Sequence, residues 1–414
     1  MVLGAKRGAI YDLSKGDVYS LDALGARLIT DLENKIPIGD TLRKNPKIKS
    51  SEARQYLLRL QKMGLVAHDG SLRKARKRRI APPTQALRFM WLELTNRCNL
   101  RCLHCYSSCD NRKIPKEELP TEHWRSILKE GARLGCRMVQ FLGGEPTLIG
   151  DDLFKLVSLS RRLGYEFVEV FTNATQLDDE KIDILKHYEV QVAVSLYGHK
   201  PEIHDLITGK QGSFVKTFGN LKKMAEKRVP LKVAIIAMKQ NQNFIAQTVR
   251  FLKRELHVTN LHTDLVRPLG RGCNQDLVPH RLIPAQQRVR PKFPPIDKYT
   301  FAQRLYGHSC FFGEICIASD GRIFPCPMER DVVIGNAKTD SLQSVMESET
   351  LRRTWGLSKD KIETCMACEY RYACFDCRPK VKGQTGDFYA KPPECFYDPY
   401  KGKWVGPVRR CHDA

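Results

Sequence analysis

No stretch of the 414 residues reaches the roughly 18 consecutive apolar side chains of a membrane-spanning helix. The opening MVLGAKRGAIYDLSKGD likewise lacks the apolar core of a secretion signal. Both absences point to the cytoplasm, where thiols stay reduced, so the fifteen cysteines signal metal rather than disulfides. Acidic residues are also short, 46 against 69 Lys and Arg, giving a formal charge of +23. Such a surface favours polyanions, an acidic peptide or an acidic protein partner. The densest basic run, RKARKRRI at 73–80, has no interleaved aromatics or binding motif, which disfavours nucleic acid and fits a solvated linker.

The cysteines fall into two groups. Cys98, Cys102 and Cys105 stand in C-x3-C-x2-C spacing directly after the strand-like run FMWLEL. Three thiolates on one loop hold three irons of a 4Fe-4S cluster and leave the fourth open, whereas a closed cluster takes four protein ligands. The competing reading is a zinc knuckle completed by Cys109 or His104. Eight more cysteines lie between Cys310 and Cys395. CFFGEICIASDGRIFPC contributes Cys310, Cys316 and Cys326, with Gly321 at G-x4-C spacing; CMACEYRYACFDC contributes Cys365, Cys368, Cys374 and Cys377; Cys395 follows alone. Eight divide evenly into two closed sites, with two zinc sites as the alternative. Cys109, Cys136, Cys273 and Cys411 remain as buried or incidental thiols.

Length suggests two or three domains. Residues 1–72 read as strands AIYD and DVYSL joined by a turn, then a helix capped by Asp22 with Leu24, Leu28 and Leu32 on one face, then a helix opened by Ser51 and closed by Gly64. This is a winged-helix type of order. After a linker at 73–85, residues 86–270 alternate strand and helix in the rhythm of a parallel sheet. The strands are expected near 90–95, 137–142, 166–172, 190–196, 231–238 and 261–266. A bridging segment, 271–309, leads to a loop-rich unit at 310–414.

The three-cysteine loop, with GGEP (Gly143, Gly144, Glu145 and Pro146) after the strand-like MVQFL, resembles the radical S-adenosylmethionine (SAM) superfamily. The resemblance implies a partial (β/α)6 barrel of TIM type, SAM chelated to the open iron and a 5'-deoxyadenosyl radical. It puts the GGEP backbone at the SAM amino group, and Thr172 and Asn173 of FTNAT with Ser195 and Tyr197 of SLYG beside the methionyl and ribose groups. His104 sits where the family often has an aromatic side chain near the adenine. HDLITGKQGSF resembles the HDxxRG..GSF stretch of the peptide-modifying branch, but Thr208 replaces the usual arginine, leaving Lys210 as the substitute.

The C-terminal cysteines are similar to the SPASM domain, with C-x2-C-x5-C-x2-C where C-x2-C-x5-C-x3-C is usual. That resemblance implies two auxiliary 4Fe-4S clusters and crossed ligation: Cys310, Cys316, Cys326 and Cys377 for one, Cys365, Cys368, Cys374 and Cys395 for the other. Residues 1–72 resemble the precursor-recognition (PqqD-like) domain that captures the leader of a ribosomal peptide by adding its strand to a hairpin edge. Together these imply a cytoplasmic peptide maturase that installs a carbon-carbon or thioether crosslink, with flavodoxin or ferredoxin as electron donor. An epimerase, with Cys273 as hydrogen donor, and an oxidase acting on a peptide or haem-like substrate are the enzymic alternatives. A non-catalytic iron-sulfur or nucleic-acid-binding regulator is the alternative of another class. Glu314, Asp320 and Asp264 are the acidic residues from which a base would be drawn.

Overall fold

The computed structural model describes residues 1–44, 49–66, 80–109, 118–283 and 293–405. It opens with three short antiparallel strands, β1 (Val2–Leu3), β2 (Gly8–Asp12) and β3 (Asp17–Leu21), in that spatial order. The expected hairpin is present, with Gly8 opposite Leu21 and Asp12 opposite Asp17. Asp12 closes the turn by accepting from the Ser14 amide, a local bond that short acidic side chains favour. Helix α1 (Ala23–Glu33) begins at the expected cap, Asp22, whose carboxylate accepts from the Gly25 amide. A short helix α2 (Ile38–Arg43) was not foreseen, since six residues are too few for a periodic pattern. Helix α3 (Ser50–Lys62) starts after Lys49, so the expected opening residue Ser51 lies inside its first turn. Leu21, Ile29, Leu60 and Val66 form this unit's core. The basic run at 73–79 and Cys411 lie outside the described residues.

Six parallel strands follow: β4 (Phe89–Thr95), β5 (Met138–Gly143), β6 (Phe167–Thr172), β7 (Gln191–Ser195), β8 (Leu231–Ala237) and β9 (Leu261–Leu265). They match the expected runs to within a residue or two, because strands covered on both sides read as apolar runs between turn signals. Helices α4 (Thr121–Arg133), α5 (Asp151–Arg162), α6 (Asp179–His187), α7 (Pro201–Thr208), α8 (Ser213–Glu226) and α9 (Ile245–Leu256) return the chain between them. Their apolar faces pack on the sheet in one continuous core containing Trp124 and Leu128 from α4, Val139 and Phe141 from β5, and Leu221 from α8.

The expected boundary at 310 is not a boundary in the sheet. Strand β10 (Glu314–Ile317) pairs parallel to β4, aligning Cys316 with Trp91, and β11 (Arg322–Phe324) and β12 (Gly335–Asn336) continue antiparallel. One nine-stranded sheet results, ordered β12-β11-β10-β4-β5-β6-β7-β8-β9. The bridging segment likewise carries structure: two short 3-10 turns, Gly270–Cys273 and Gln275–Leu277, and a helix, Lys298–Tyr306, capped by Asp297. Beyond β12 the chain is mostly loops and short helices.

Candidate functional site

The carboxyl ends of the six parallel strands open onto a cavity of about 400 Å³, the end at which parallel barrels place their sites. Cys98, Cys102 and Cys105 line it on the loop after β4, with Gly143 and Gly144 after β5, Thr172 and Asn173 at the end of β6, and Ser195 and Tyr197 after β7. His104 lines it too, its ring edge-on to Tyr197 at 4.7 Å. Burial drives His104 down to about 4, so its imidazole is neutral at pH 7. Ten of the thirteen residues expected at the SAM site therefore face one space.

Three do not, and each has a physical reason. Glu145 is fully buried and spends its carboxylate inside the fold. It accepts from the Thr147 amide at 3.1 Å, the Thr147 hydroxyl at 2.6 Å, the Thr172 hydroxyl at 2.6 Å and the Asn173 amide at 2.7 Å. Burial raises its pKa and these donors oppose the rise. Glu145 is thus a brace between the loop after β5 and the end of β6. Pro146 begins the 3-10 turn behind it. Lys210 points away from the cavity and donates to the Asn99 carbonyl at 3.2 Å. Thr208 does line the cavity, with its hydroxyl 2.7 Å from the Ser213 hydroxyl.

The glycines of GGEP are explained by the cysteine loop. A Cβ on Gly144 would lie 2.0 Å from the Arg97 carbonyl oxygen, and one on Gly143, at φ +141°, would lie 2.3 Å from that of Thr95. The Gly144 and Glu145 amides donate to those carbonyls at 2.7 and 2.8 Å. These two amides are consumed in holding the loop, and the Glu145 carbonyl accepts from the Leu148 amide at 3.1 Å. Asn99 adds a second tie, accepting from Asn173 at 2.8 Å and donating to Thr175 at 2.7 Å.

Two arginines in the stretch read as a barrel end and linker complete the wall. Arg271 reaches back to the cysteine loop, donating to the Cys102 carbonyl at 2.8 Å and the Cys109 carbonyl at 3.0 Å, while its own amide donates to Cys105. Arg267 holds Asp264 at 2.6 Å, and its other end meets Met328 Sδ at 2.8 Å and Cys377 Sγ at 3.5 Å. Burial would raise Asp264, but the guanidinium keeps it below the ordinary carboxylate range. Asp264 lines the cavity, whereas Asp320 lies outside it, half-buried and paired with Arg322. Glu314 is pushed up to about 8 by burial.

The second group of cysteines divides in space. Cys310, Cys326 and Cys377 line the same cavity as the first loop. Cys316 is buried behind them on β10, close enough to Cys326 that a charge on either opposes ionisation of the other. Cys365, Cys368, Cys374 and Cys395 line a separate pocket with Lys359, Arg371 and Tyr397. Burial pushes up the thiols of Cys98 and Cys326, to about 12, and of Cys365, to about 11. Soft sulfur donors with protons to give up, arranged around a cavity, suit iron-sulfur ligation. Of the remaining thiols, Cys109 lines the cavity and bonds Ser107 and Asn96. Cys136 is buried under the sheet, bonded to the Met138 carbonyl, and Cys273 is exposed.

Comparison with known proteins gives two family matches. Residues 92–252 match the radical SAM superfamily, and residues 310–369 match the SPASM iron-sulfur cluster-binding domain. Among curated proteins the chain is 27% identical to an AdoMet-dependent heme synthase of Methanosarcina barkeri, over 77% of this chain and 99% of that one. It is also 27% identical to the subtilosin biosynthesis protein AlbA of Bacillus subtilis, over 74% of this chain and 70% of that one. Among solved structures, Streptococcus suis SuiB bound to precursor peptide SuiA superposes with a TM-score of 0.57 at 15% identity, covering 96% of this chain and all of that one. AdoMet-bound anSMEcpe with a peptide superposes with a TM-score of 0.57 at 19% identity, covering 76% and 93%.

Proposed function

The chain belongs to the radical SAM superfamily and carries a SPASM iron-sulfur domain, and from that premise we propose that it crosslinks a ribosomally made precursor peptide. It is an enzyme that uses SAM and iron-sulfur clusters. In the reading offered here Cys98, Cys102 and Cys105 hold the SAM-binding cluster. Cys310, Cys316, Cys326 and Cys377 hold the first auxiliary cluster, and Cys365, Cys368, Cys374 and Cys395 the second. When bound, the SAM cluster supplies radical chemistry able to take hydrogen from an unactivated carbon.

The observation that carries the crosslinking reading is that cysteines of both groups, Cys98, Cys102 and Cys105 with Cys310, Cys326 and Cys377, line one cavity. Closing a bond between two substrate atoms removes two hydrogens, one as an atom and the other as a proton and an electron. The electron needs an acceptor beside the substrate, which those three auxiliary thiols are positioned to hold. Arg271 fixes the cysteine loop, Glu145 fixes the loops after β5 and β6, and apolar walls such as Trp91, Leu142 and Phe171 keep water from the reacting carbon. An epimerase would often need a thiol as hydrogen donor; Cys273, the candidate for that role, is exposed and does not line the cavity, and Cys109, which does, is bonded to Ser107 and Asn96.

The leader would pair with β3, the outer strand of the β2-β3 hairpin, since β1 covers the other side of β2. The peptide reading gains support from SuiB, whose similarity extends over nearly the whole chain. The AdoMet-dependent heme synthase match supports a second reading, a porphyrin substrate. The basic charge fits an acidic flavodoxin or ferredoxin as donor, and fifteen cysteines in metal-type spacing fit the reducing cytoplasm; no helix among the described residues is long and apolar enough to cross a membrane.

The test is anaerobic turnover with SAM and reductant, run once with candidate precursor peptides from the source genome and once with an iron porphyrin. Loss of a hydrogen pair from the peptide, with a new link in its fragmentation spectrum, is the expected result. SAM-dependent modification of the porphyrin with an unaltered peptide would establish the second reading in its place.

A further inference from the structure

We propose that residues 3–11 are a working part of the second auxiliary site, positioning the loop that carries Cys368 and Cys374. The inference rests on the reading of Cys365, Cys368, Cys374 and Cys395 as one ligand set.

Residues 367–373 join these cysteines and are stitched to the N-terminal strands by backbone and side-chain bonds. The Ala5 amide donates to the Ala367 carbonyl at 2.8 Å. Arg371 donates to the Leu3 carbonyl at 2.8 Å, and the Tyr11 hydroxyl donates to the Glu369 carbonyl at 2.9 Å. Between these bonds the two backbones approach so closely that a Cβ on Gly4 would stand 2.8 Å from the Glu369 amide nitrogen and 2.9 Å from the Ala367 carbonyl oxygen.

The contact also reaches the far side of the ligand set. Glu369 has no exposed side-chain surface; Arg7 lies 4.0 Å from its carboxylate, and the Tyr397 hydroxyl donates to it. Tyr397 lines the pocket together with Cys395. A polar chain thus runs from Arg7 through Glu369 to Tyr397, spanning Cys368 on one side and Cys395 on the other. Around it Ala9, Tyr370 and Tyr397 form one apolar cluster, with Tyr11, Val18, Cys368 and Cys395 packed against it.

A flexibly tethered recognition module would meet its neighbour through a wet, polar surface. Here an inter-unit backbone hydrogen bond and a glycine with no room for a side chain mean that strand and cysteine loop share one conformation. Partners outside the ligand shell hold ligands in place and set the polarity around a cluster, and so its potential. The N-terminal strands therefore exclude water from the Cys368 side of the site and fix where that thiolate stands.

The experiment uses the full chain, reconstituted anaerobically, in four variants. Cys368→Ala is the reference for loss of this site. Gly4→Val forces the backbones apart, Tyr11→Phe removes one bond from the loop, and Gly39→Ala alters the same unit where nothing lies within 4 Å. Iron content, the midpoint potential of each cluster followed by electron paramagnetic resonance, and SAM cleavage are read for each. Cys368→Ala should lose about four of about twelve irons. Gly4→Val should lose the same share while still cleaving SAM. Tyr11→Phe should keep its iron and shift the potential of that cluster alone, and Gly39→Ala should change nothing. Unchanged iron and potentials in Gly4→Val and Tyr11→Phe, beside iron loss in Cys368→Ala, would overturn the inference. Full iron in Cys368→Ala would instead overturn the ligand reading beneath it. If Gly4→Val cannot be isolated folded, the potential of Tyr11→Phe decides alone.

Discussion

Cys374 and Cys377 stand three positions apart in the chain, yet they line different cavities. Cys374 lines the pocket of Cys365, Cys368 and Cys395, while Cys377 lines the large cavity with Cys310 and Cys326. Between them Asp376 is fully buried, 2.7 Å from Lys359 and paired with Arg378. A buried carboxylate between two cations is held in one geometry, because leaving any member unpaired is costly. With the usual x3 spacing shortened to x2, Cys374 and Cys377 still line different cavities.

The crossing predicts different losses from neighbouring substitutions. Cys377→Ala should abolish the paramagnetic signal of the cluster beside the SAM site and stop crosslinking, while the cluster of Cys365 and Cys368 still titrates. Cys374→Ala should do the reverse to the two signals. Spectra that lose the same species in both variants would mean the ligand sets are not divided in this way.

Arg271 makes a second prediction. Its guanidinium accounts for two bonds to the cysteine loop, to the Cys102 and Cys109 carbonyls, and charge-assisted bonds of this kind contribute about 1.5–3 kcal/mol each. Arg271→Met should leave the fold intact but make the SAM-binding cluster labile, seen as faster iron loss to a chelator and weaker SAM binding. Arg271→Lys should restore little, since an ammonium on a flexible stem does not reproduce the two-pronged geometry. Chelation at the wild-type rate in Arg271→Met would remove the residue from the site.

Much of this was legible in the residues, and what was not shares one cause. The six strands were readable because apolar runs and turn residues are local signals. The cysteine groups were readable because spacing on a loop is local as well. The pairing of β10 with β4 joins residues more than two hundred positions apart, and nothing in EICI announces its partner. Arg271 was missed because it binds backbone carbonyls, which carry no residue identity; the hint was Gly270, at φ +54°, where a Cβ would lie 2.2 Å from the Tyr106 carbonyl oxygen. Glu145 was expected at the cofactor because its motif is, yet the carboxylate turned inward to four donors that only the folded loops bring together.

That inward carboxylate can be tested directly. In Glu145→Gln the amide oxygen can still accept from Thr147 and Thr172, but the amino group then faces the Asn173 amide, donor against donor. Stability should fall by about 1–3 kcal/mol, the cost of an unsatisfied buried group. SAM affinity should fall less than it does for substitutions lining the cavity, such as Asn173→Ala. Calorimetric unfolding and equilibrium binding separate the two effects; unchanged stability with lost SAM binding would return Glu145 to the cofactor.

The charge of the chain gives a last prediction, about reduction rather than structure. With 69 basic and 46 acidic residues, and clusters offsetting only part of the excess, the surface should steer an acidic electron-transfer protein toward it. Steering between exposed charges is screened beyond about 10 Å at 0.1 M salt and beyond about 3 Å at 1 M. The rate of SAM cleavage driven by a reduced acidic flavodoxin should therefore fall steeply as salt is raised. Cleavage driven by excess dithionite should stay nearly level over the same range, because its supply does not depend on docking between two large surfaces. Initial rates of 5'-deoxyadenosine formation with each reductant across a salt series measure the difference. A flavodoxin-driven rate as insensitive to salt as the dithionite-driven one would show that the basic surface does not steer the reductant, and an acidic precursor peptide would be the next partner to examine by the same series.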